Sequence, residues 1–136
     1  MNIVIDANIL IAALLRDSKV REIIVNFQDH LLVPEVHLQE IAEHKKELLE
    51  KSGFSEEDFD ILLTKLSEYC TIIRSDKILS FLEEADKLIG AVDKDDVPVI
   101  ATSLTYGVCP IWSDDKHFQK QKKIKIYTTK EMLEFS

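Results

Sequence analysis

The sequence has few of the residues that build several common kinds of site. Its glycines are Gly53, Gly90 and Gly107, each at the end of a helical pattern, so no glycine-rich loop can cradle a phosphate. Its two cysteines, Cys70 and Cys109, lack zinc-type spacing, and we expect buried thiols in a reducing compartment. No serine stands in a nucleophile-elbow motif. A P-loop enzyme, a cysteine-ligated zinc protein and an elbow-type hydrolase are therefore excluded.

Positive charge and long apolar runs are also scarce. The chain has 17 Lys and Arg against 25 Asp and Glu, a net charge of −8, which argues against nucleic-acid binding through bulk charge. The longest apolar run, residues 9–15, is too short to span a bilayer, and no signal-peptide layout is present. We expect a cytoplasmic protein with no membrane association, and one domain over all 136 residues.

Short β-rich runs alternate with helical patterns along the chain. The predicted strands are residues 1–5, 30–33, 71–73, 108–112 and 124–127. The predicted helices are residues 8–15, 18–28, 35–52, 56–69, 76–89, 96–106 and 129–135. This alternation predicts an α/β domain with a mainly parallel central sheet, and such sheets bind ligands at the carboxyl ends of their strands.

Aspartates follow two of the predicted strands. Asp6 comes directly after the first strand in a nearly continuous apolar segment, and Asp115 follows the fourth. A buried, unpaired carboxylate is costly, so Asp6 needs hydrogen bonds, a counter-charge or a metal ion. A simpler alternative stays open for each acid. Asp6 or Asn8 can cap the next helix, and Ser113 to Asp115 can cap the turn that follows them.

A third group of acids, Asp93, Asp95 and Asp96, opens the predicted helix 96–106. Taken alone, the group is compatible with a helix cap, because acids suit the exposed N–H groups and dipole at a helix start. Gathered with Asp6 and Asp115 at one edge of a sheet, these carboxylates would repel and raise each other's pKa. Mg²⁺ or Mn²⁺, which prefer oxygen ligands, would remove that repulsion. The pattern indicates a site suited to phosphodiester hydrolysis.

Four segments resemble the PIN domain in their order and spacing: IVIDANILIAALL, VPEVHLQEIAEHKKELLEKSG, DKDDVPVIATSL and CPIWSDDKHF. The resemblance covers essentially the whole chain. It implies a Rossmann-like, three-layer α/β/α sandwich around a mainly parallel sheet of about five strands. It also implies a Mg²⁺- or Mn²⁺-dependent endoribonuclease, because PIN domains are ribonucleases of this kind. Many of them are the toxins of VapBC-type toxin–antitoxin pairs.

The resemblance assigns site residues one by one. The four catalytic and metal-binding acids of the family match Asp6, Glu40, Asp96 and Asp115. Three further positions match residues that support the site around these acids: Asn8, Asp93 and Ser113. Only the motif selects Glu40, because helical periodicity places it on one polar face with Glu43 and Glu47.

The last motif departs from the family pattern at one position. Many relatives carry a further aspartate two residues after the fourth acid, where this chain has His117. Whether a second metal binds there stays open. An alternative is that His117 contacts an RNA phosphate. Lys116 and Lys120 are expected to contact the RNA backbone next to it. Asp114 either points away from the metal or substitutes in part, and Asp95 is expected to be a cap or a surface acid. The other histidines are expected at the surface: His30, His37 and His44.

Two other classes of function compete with the nuclease. A non-catalytic PIN-like module that binds an antitoxin or an RNA-processing assembly is the second hypothesis, and the presence of all four acids argues against it. A phosphotransfer domain with Asp6 as the nucleophile is the third. Such sites need a second aspartate two residues later, where Asn8 stands. The expected partners are an RNA substrate, an antitoxin protein and a second copy of the chain in a homodimer.

Overall fold

A five-stranded sheet forms the centre of the computed structural model, which describes residues 1–15 and 18–135. Its strands are β1 (Asn2–Ile5), β2 (His30–Pro34), β3 (Cys70–Ile73), β4 (Ile111–Trp112) and β5 (Ile126–Tyr127). All neighbouring strands are parallel, in the order β3-β2-β1-β4-β5. The predicted parallel sheet is therefore confirmed, with β1 at its middle.

The side chains of the central strands alternate between two cores, because successive residues of a strand point to opposite faces. Ile3 and Ile5 of β1 enter one core, and Val4 between them enters the other. Leu31 and Leu32 of β2 divide in the same way. Burial on both faces explains why these strands are continuous apolar runs in the sequence.

Eight α-helices cover the two faces of the sheet within the described residues. They are α1 (Ala7–Leu14), α2 (Ser18–Asn26), α3 (Glu35–Glu43), α4 (Lys45–Ser52), α5 (Glu56–Glu68), α6 (Leu82–Ala85), α7 (Val97–Thr105) and α8 (Thr129–Glu134). Helices α1 to α5 and α8 contribute to the first core, and α6 and α7 to the second. This arrangement confirms the three-layer α/β/α sandwich. No helix among these residues is long and apolar enough to cross a membrane.

Three of the predicted helices are not continuous α-helices in the structure. The predicted helix 35–52 divides at His44, whose φ of −101° and ψ of 14° leave the α-helical range. Ile41 of α3 and Leu48 of α4 lie in the first core on either side of this break. The predicted helix 76–89 consists of a 3₁₀ segment (Ser75–Phe81), α6 and a π segment (Asp86–Gly90). A 3₁₀ turn (Lys94–Asp96) precedes α7.

The last two strands are shorter than predicted, because local hydrogen bonds occupy the backbone beside them. Val108 has a φ of 61°, and the N–H groups of Val108 and Cys109 both donate to the Ser103 carbonyl. Residues after α7 therefore wrap around its end before β4 begins. Before β5, the Gln121 side chain binds both the N–H and the carbonyl of Ile124 at 2.8 and 2.9 Å, which removes that residue from the sheet.

Candidate metal centre

The candidate site lies at the carboxyl ends of β1 and β4, in the middle of the sheet. Ile5 pairs with Trp112, and the Asp6 N–H donates to the Trp112 carbonyl at 3.1 Å, so the residues that follow the two strands are neighbours. The chain leaves β1 towards β2 on one side, and β4 lies on the other side. In open parallel sheets, this change of direction is where a cleft opens for a ligand.

Asp6 is buried at this edge and hydrogen-bonded. It is 4% exposed, and its Oδ2 accepts a hydrogen bond from the Ser113 hydroxyl at 2.8 Å. The Ser113 oxygen accepts in turn from the Asp115 N–H at 3.0 Å. Burial raises the pKa of Asp6 and the charge of Asp115 adds to the shift, while the Ser113 hydrogen bond and His37 oppose it. The Asn8 N–H also lowers this pKa, but its geometry falls short of a capping hydrogen bond.

Asp96 is equally buried but has no donor for one of its oxygens. It is 6% exposed, it ends the 3₁₀ turn before α7, and its Oδ2 makes no hydrogen bond. Burial raises the pKa of Asp96 to about 7, with further increases from the charges of Asp93, Asp6 and Asp115. The opposing influence of His117 is smaller. One oxygen of this carboxylate thus lacks a donor, and the neighbouring charges raise its pKa more than His117 lowers it.

The two carboxylate oxygens of Asp93 have different contacts. Its Oδ1 caps the 3₁₀ turn by accepting from the Asp95 N–H at 2.9 Å. Its Oδ2 lies 3.5 Å from His117 Nδ1, among the site residues. Of the two alternatives for Asp95, the cap is therefore wrong, and its exposed side chain is that of a surface acid.

His117 lies among the carboxylates. Its backbone N–H donates to Asp115 Oδ1 at 2.9 Å, which fixes the start of the 3₁₀ segment Lys116–Lys120. Its Nδ1 is buried, makes no hydrogen bond, and lies 3.4 to 3.6 Å from oxygens of Asp115, Asp93 and Asp96. The ring therefore lies where several acids converge, and the role that the sequence left open for His117 now includes contact with three of them.

His37 is the residue that sequence reasoning placed wrongly, because it is buried and not at the surface. It is 2% exposed, neither ring nitrogen has a hydrogen-bond partner, and Nδ1 lies 3.7 Å from Glu40 Oε2. A signal was present in the sequence, since residues 37, 41 and 48 share one helical face. Ile41 and Leu48 on that face are core residues.

Glu40 is connected to Asp6 through His37 and is not among the residues that meet at His117. Its partly exposed side chain contacts His37, whose charge lowers the pKa of Asp6. Asn8, in the first turn of α1, lines one depression with Glu40 and another with Asp115. The two parts of the predicted acid set therefore lie on either side of Asn8.

Three further predicted residues lie outside this group. Asp114 points away from it, because its oxygens accept from the Thr129 N–H at 2.7 Å and from the Thr129 hydroxyl at 2.6 Å. Lys116 and Lys120 are exposed on the segment that begins beside Asp115. Their contact with RNA stays a prediction.

The donor set fits a divalent cation. Asp93, Asp96 and His117 each offer one ligand atom, and the three atoms lie within 4.8 Å of one another. The unpartnered Asp96 Oδ2 lies 3.6 Å from His117 Nδ1. Several carboxylate oxygens suit Mg²⁺ or Mn²⁺ in a way that a cysteine-rich zinc set does not. A cation here would supply the counter-charge that the buried Asp96 lacks.

The sequence matches the PIN domain family over residues 4–134, and the chain therefore belongs to that family. Among solved structures, the chain is similar to one in the crystal structure of VapBC2 from Rickettsia felis bound to a DNA fragment from their promoter. The TM-score is 0.69 at 13% sequence identity, and the match covers 94% of this chain and 98% of the other. At this identity the likeness is one of fold. No curated protein is significantly similar in sequence.

Proposed function

We propose that this PIN domain is a Mg²⁺- or Mn²⁺-dependent endoribonuclease that hydrolyses RNA phosphodiester bonds, with residues 1–136 acting as one nuclease domain. The observation that carries the proposal is the state of Asp96. Its buried carboxylate has an unpartnered oxygen, and its pKa is raised to about 7 by burial and by three neighbouring acids. Such an arrangement is costly unless a cation binds to it.

We assign the same acids to catalysis and to the metal: Asp6, Glu40, Asp96 and Asp115. Asn8, Asp93 and Ser113 support them. A divalent cation held there would lower the pKa of a water molecule and offset negative charge on the phosphate. Ser113 fixes the Asp6 carboxylate through its hydroxyl and the turn at Asp115 through its oxygen. Such neighbouring hydrogen bonds commonly set ligand orientation and affinity.

The remaining protein groups would hold the RNA. Lys116 and Lys120 are exposed beside the acids and can contact backbone phosphates without reading the sequence. The net charge of −8 predicts that affinity for bare RNA is weak and falls further with added salt.

We also propose that the chain pairs with an antitoxin protein, forms a homodimer and acts in the cytoplasm. The support is membership of the PIN domain family and a fold shared with a VapBC2 structure. Co-expression with the product of an adjacent short reading frame tests the antitoxin partner, with copurification and relief of growth arrest as the expected results. Light scattering of the purified chain tests the homodimer.

The nuclease is tested by incubating the purified protein with a mixed RNA pool in Mg²⁺, in Mn²⁺ and in excess EDTA. We expect cleavage in either ion and none with the chelator. Asp6→Asn and Asp96→Asn should lose activity. Asp95→Asn is the matched control, because it makes the same charge change on an exposed neighbour of Asp96.

Two results would contradict the proposal. Cleavage that survives excess chelator would point to a contaminating, metal-independent ribonuclease. Wild-type rates in Asp6→Asn or Asp96→Asn would show that the site is elsewhere. An inactive but folded protein that still binds an antitoxin would favour the non-catalytic module.

A further inference from the structure

We propose that His117 is a direct nitrogen ligand of the divalent cation, so that this site binds Mn²⁺ in preference to Mg²⁺. The inference rests on the proposed function, because it concerns the same metal site. It adds His117 to the four-acid assignment, and it places Asp93, assigned above as a supporting acid, close enough to offer an oxygen to the same cation.

The first argument is the position of the ring nitrogen. His117 Nδ1 lies 3.4 Å from Asp115 Oδ1, 3.5 Å from Asp93 Oδ2 and 3.6 Å from Asp96 Oδ2. Hydrogen bonds from nitrogen to a carboxylate are shorter, at about 2.7 to 3.2 Å. The nitrogen is therefore almost equally distant from three carboxylates and bonded to none of them.

The second argument is that these separations suit atoms that share one cation. Ligand bonds of about 2.1 to 2.3 Å place adjacent octahedral ligands about 3.0 to 3.3 Å apart and opposite ligands about 4.2 to 4.6 Å apart. Ligand atoms of His117, Asp93 and Asp96 all lie within 4.8 Å of one another. Small side-chain adjustments would bring them to bonding distance.

The third argument is that two buried atoms at this point lack partners. His117 Nδ1 and Asp96 Oδ2 are both buried without a hydrogen bond, 3.6 Å apart. The Asp96 side chain is more than nine-tenths buried. Buried polar atoms in native proteins are almost always satisfied, so an unsatisfied pair that faces each other indicates a bound partner.

The backbone of His117 is also fixed beside the acids. The His117 N–H donates to Asp115 Oδ1 at 2.9 Å, which ties the histidine to the fourth acid of the site. The rest of the side chain is partly exposed, with 44% of its surface accessible. The backbone hydrogen bond therefore keeps the imidazole close to Asp115 Oδ1.

The competing explanation is that a charged imidazolium pairs with the acids and replaces the metal. An imidazolium would be expected to form a short, charge-assisted hydrogen bond with one carboxylate. The observed ring is centred among three of them and makes none. Coordination accounts for that geometry, and the choice between the two explanations can be measured.

A nitrogen ligand should change metal preference. Mg²⁺ strongly prefers oxygen, whereas imidazole is an ordinary ligand for transition metals, and carboxylates suit Mn²⁺ as well as Mg²⁺. A mixed set of carboxylates and one imidazole therefore favours Mn²⁺. Replacing the imidazole with a carboxylate should move the preference back towards Mg²⁺.

The test is pulsed EPR of Mn²⁺ bound to the intact protein. The echo modulation of Mn²⁺ reports a directly bound nitrogen, whatever the nuclease activity. We expect nitrogen modulation in the wild type. The control variant His30→Ala, which replaces an exposed histidine at the opposite end of the sheet, should keep it. We expect His117→Asp to bind Mn²⁺ without it. The ratio of Mn²⁺ to Mg²⁺ affinity should fall by about 10-fold in that variant.

The outcomes separate this inference from the proposed function. Bound Mn²⁺ with no nitrogen modulation in the wild type would overturn the inference and leave the metal nuclease intact. Modulation that persists in His117→Asp would assign the nitrogen to another residue, such as His37, and also overturn it. Failure of the wild type to bind Mn²⁺ would overturn both. If His117→Asp does not fold, His117→Asn provides the same comparison.

Discussion

Asp6 and Asp96 are buried to nearly the same extent at one edge of the sheet, yet their surroundings differ. Asp6 accepts a hydrogen bond from Ser113, which also binds the Asp115 N–H. Asp96 has an oxygen without a donor, and three other acids raise its pKa. One half of the site is therefore fixed by the protein's own hydrogen bonds, and the other half has a buried oxygen without a partner, which a cation would supply.

The difference separates two ways in which a fold can tolerate a buried carboxylate. A hydrogen-bonded acid contributes to a rigid arrangement with or without ligand. A buried acid that lacks donors lowers the stability of the metal-free protein, and a bound cation would remove that cost. Variants of the two halves should therefore have opposite effects on the metal-free protein.

The largest effect should come from Asp96→Asn. We expect Mn²⁺ affinity to fall by more than about 100-fold, because an inner ligand is lost. We also expect the metal-free variant to be more stable than the wild type by roughly 1–3 kcal/mol near pH 8, because a repelled charge is removed. Titration calorimetry and urea unfolding in EDTA measure the two quantities.

The matched control for that prediction is Asp95→Asn. Asp95 is exposed in the same 3₁₀ turn, so its replacement should leave both Mn²⁺ affinity and stability nearly unchanged. A metal-free Asp96→Asn protein less stable than the wild type would contradict the contrast between the two halves.

Ser113→Ala should lower the stability of the metal-free protein, which is the opposite of the effect expected for Asp96→Asn. It removes the donor to Asp6 and the acceptor for Asp115, leaving buried polar groups unsatisfied. We expect the free energy of unfolding to fall by about 1–3 kcal/mol. Mn²⁺ affinity should fall by about 10-fold to 100-fold. Ser113→Thr keeps a hydroxyl and should show only part of both losses. Equal stability of Ser113→Ala and the wild type would contradict the prediction.

The pH dependence of stability gives a third way to compare the halves. The pKa of Asp96 rises from 3.8 to about 7 in the folded chain, so the folded state holds an extra proton between those values. The free energy of unfolding of the metal-free protein should therefore fall as pH rises from about 4 to about 7, and then level off.

Urea unfolding across that range, with Asp96→Asn as the reference, isolates this contribution. Asp6 is present in both proteins, so the part of its raised pKa that comes from burial cancels, and the difference reports Asp96 together with its charge coupling to Asp6. Mn²⁺ competes with the same proton, and its affinity should rise over the same pH window. A difference between the two proteins that does not change with pH would show that Asp96 does not titrate there.

The smallest effect should come from Asp114→Ala. Asp114 stands directly beside Asp115, but its oxygens hold Thr129 at the start of α8. We expect a loss of about 1 kcal/mol in stability and no change in Mn²⁺ affinity. A clear loss of metal binding would place Asp114 in the site.

The sequence was sufficient to predict the parts of this fold that depend on regular patterns. Apolar strands alternating with helices predicted the five-stranded parallel sheet, and that prediction is confirmed. Aspartates at two strand ends and before α7 predicted a common location, and the structure brings Asp6, Asp96 and Asp115 together around Ser113 and His117. Their function in the nuclease remains a proposal.

The parts that failed depend on contacts between distant residues. The stretch around His44 consists of good helix formers, so its local sequence does not predict the break between α3 and α4. Gln121 binds the backbone of Ile124 in place of a neighbouring strand, which no periodicity reveals. His37 was missed because a histidine among charged residues looks like a surface residue.

The pairing of β1 with β4 has a consequence for when the site can form during synthesis. Asp6 and Ser113 are 107 positions apart, yet they are joined by one hydrogen bond. In a chain still attached to the ribosome, β1, β2 and β3 can emerge before Ser113, the hydrogen-bond donor to Asp6, has been synthesised. The pocket is completed only after β4 has emerged and inserted beside β1, so a nascent or prematurely ended chain has no assembled site.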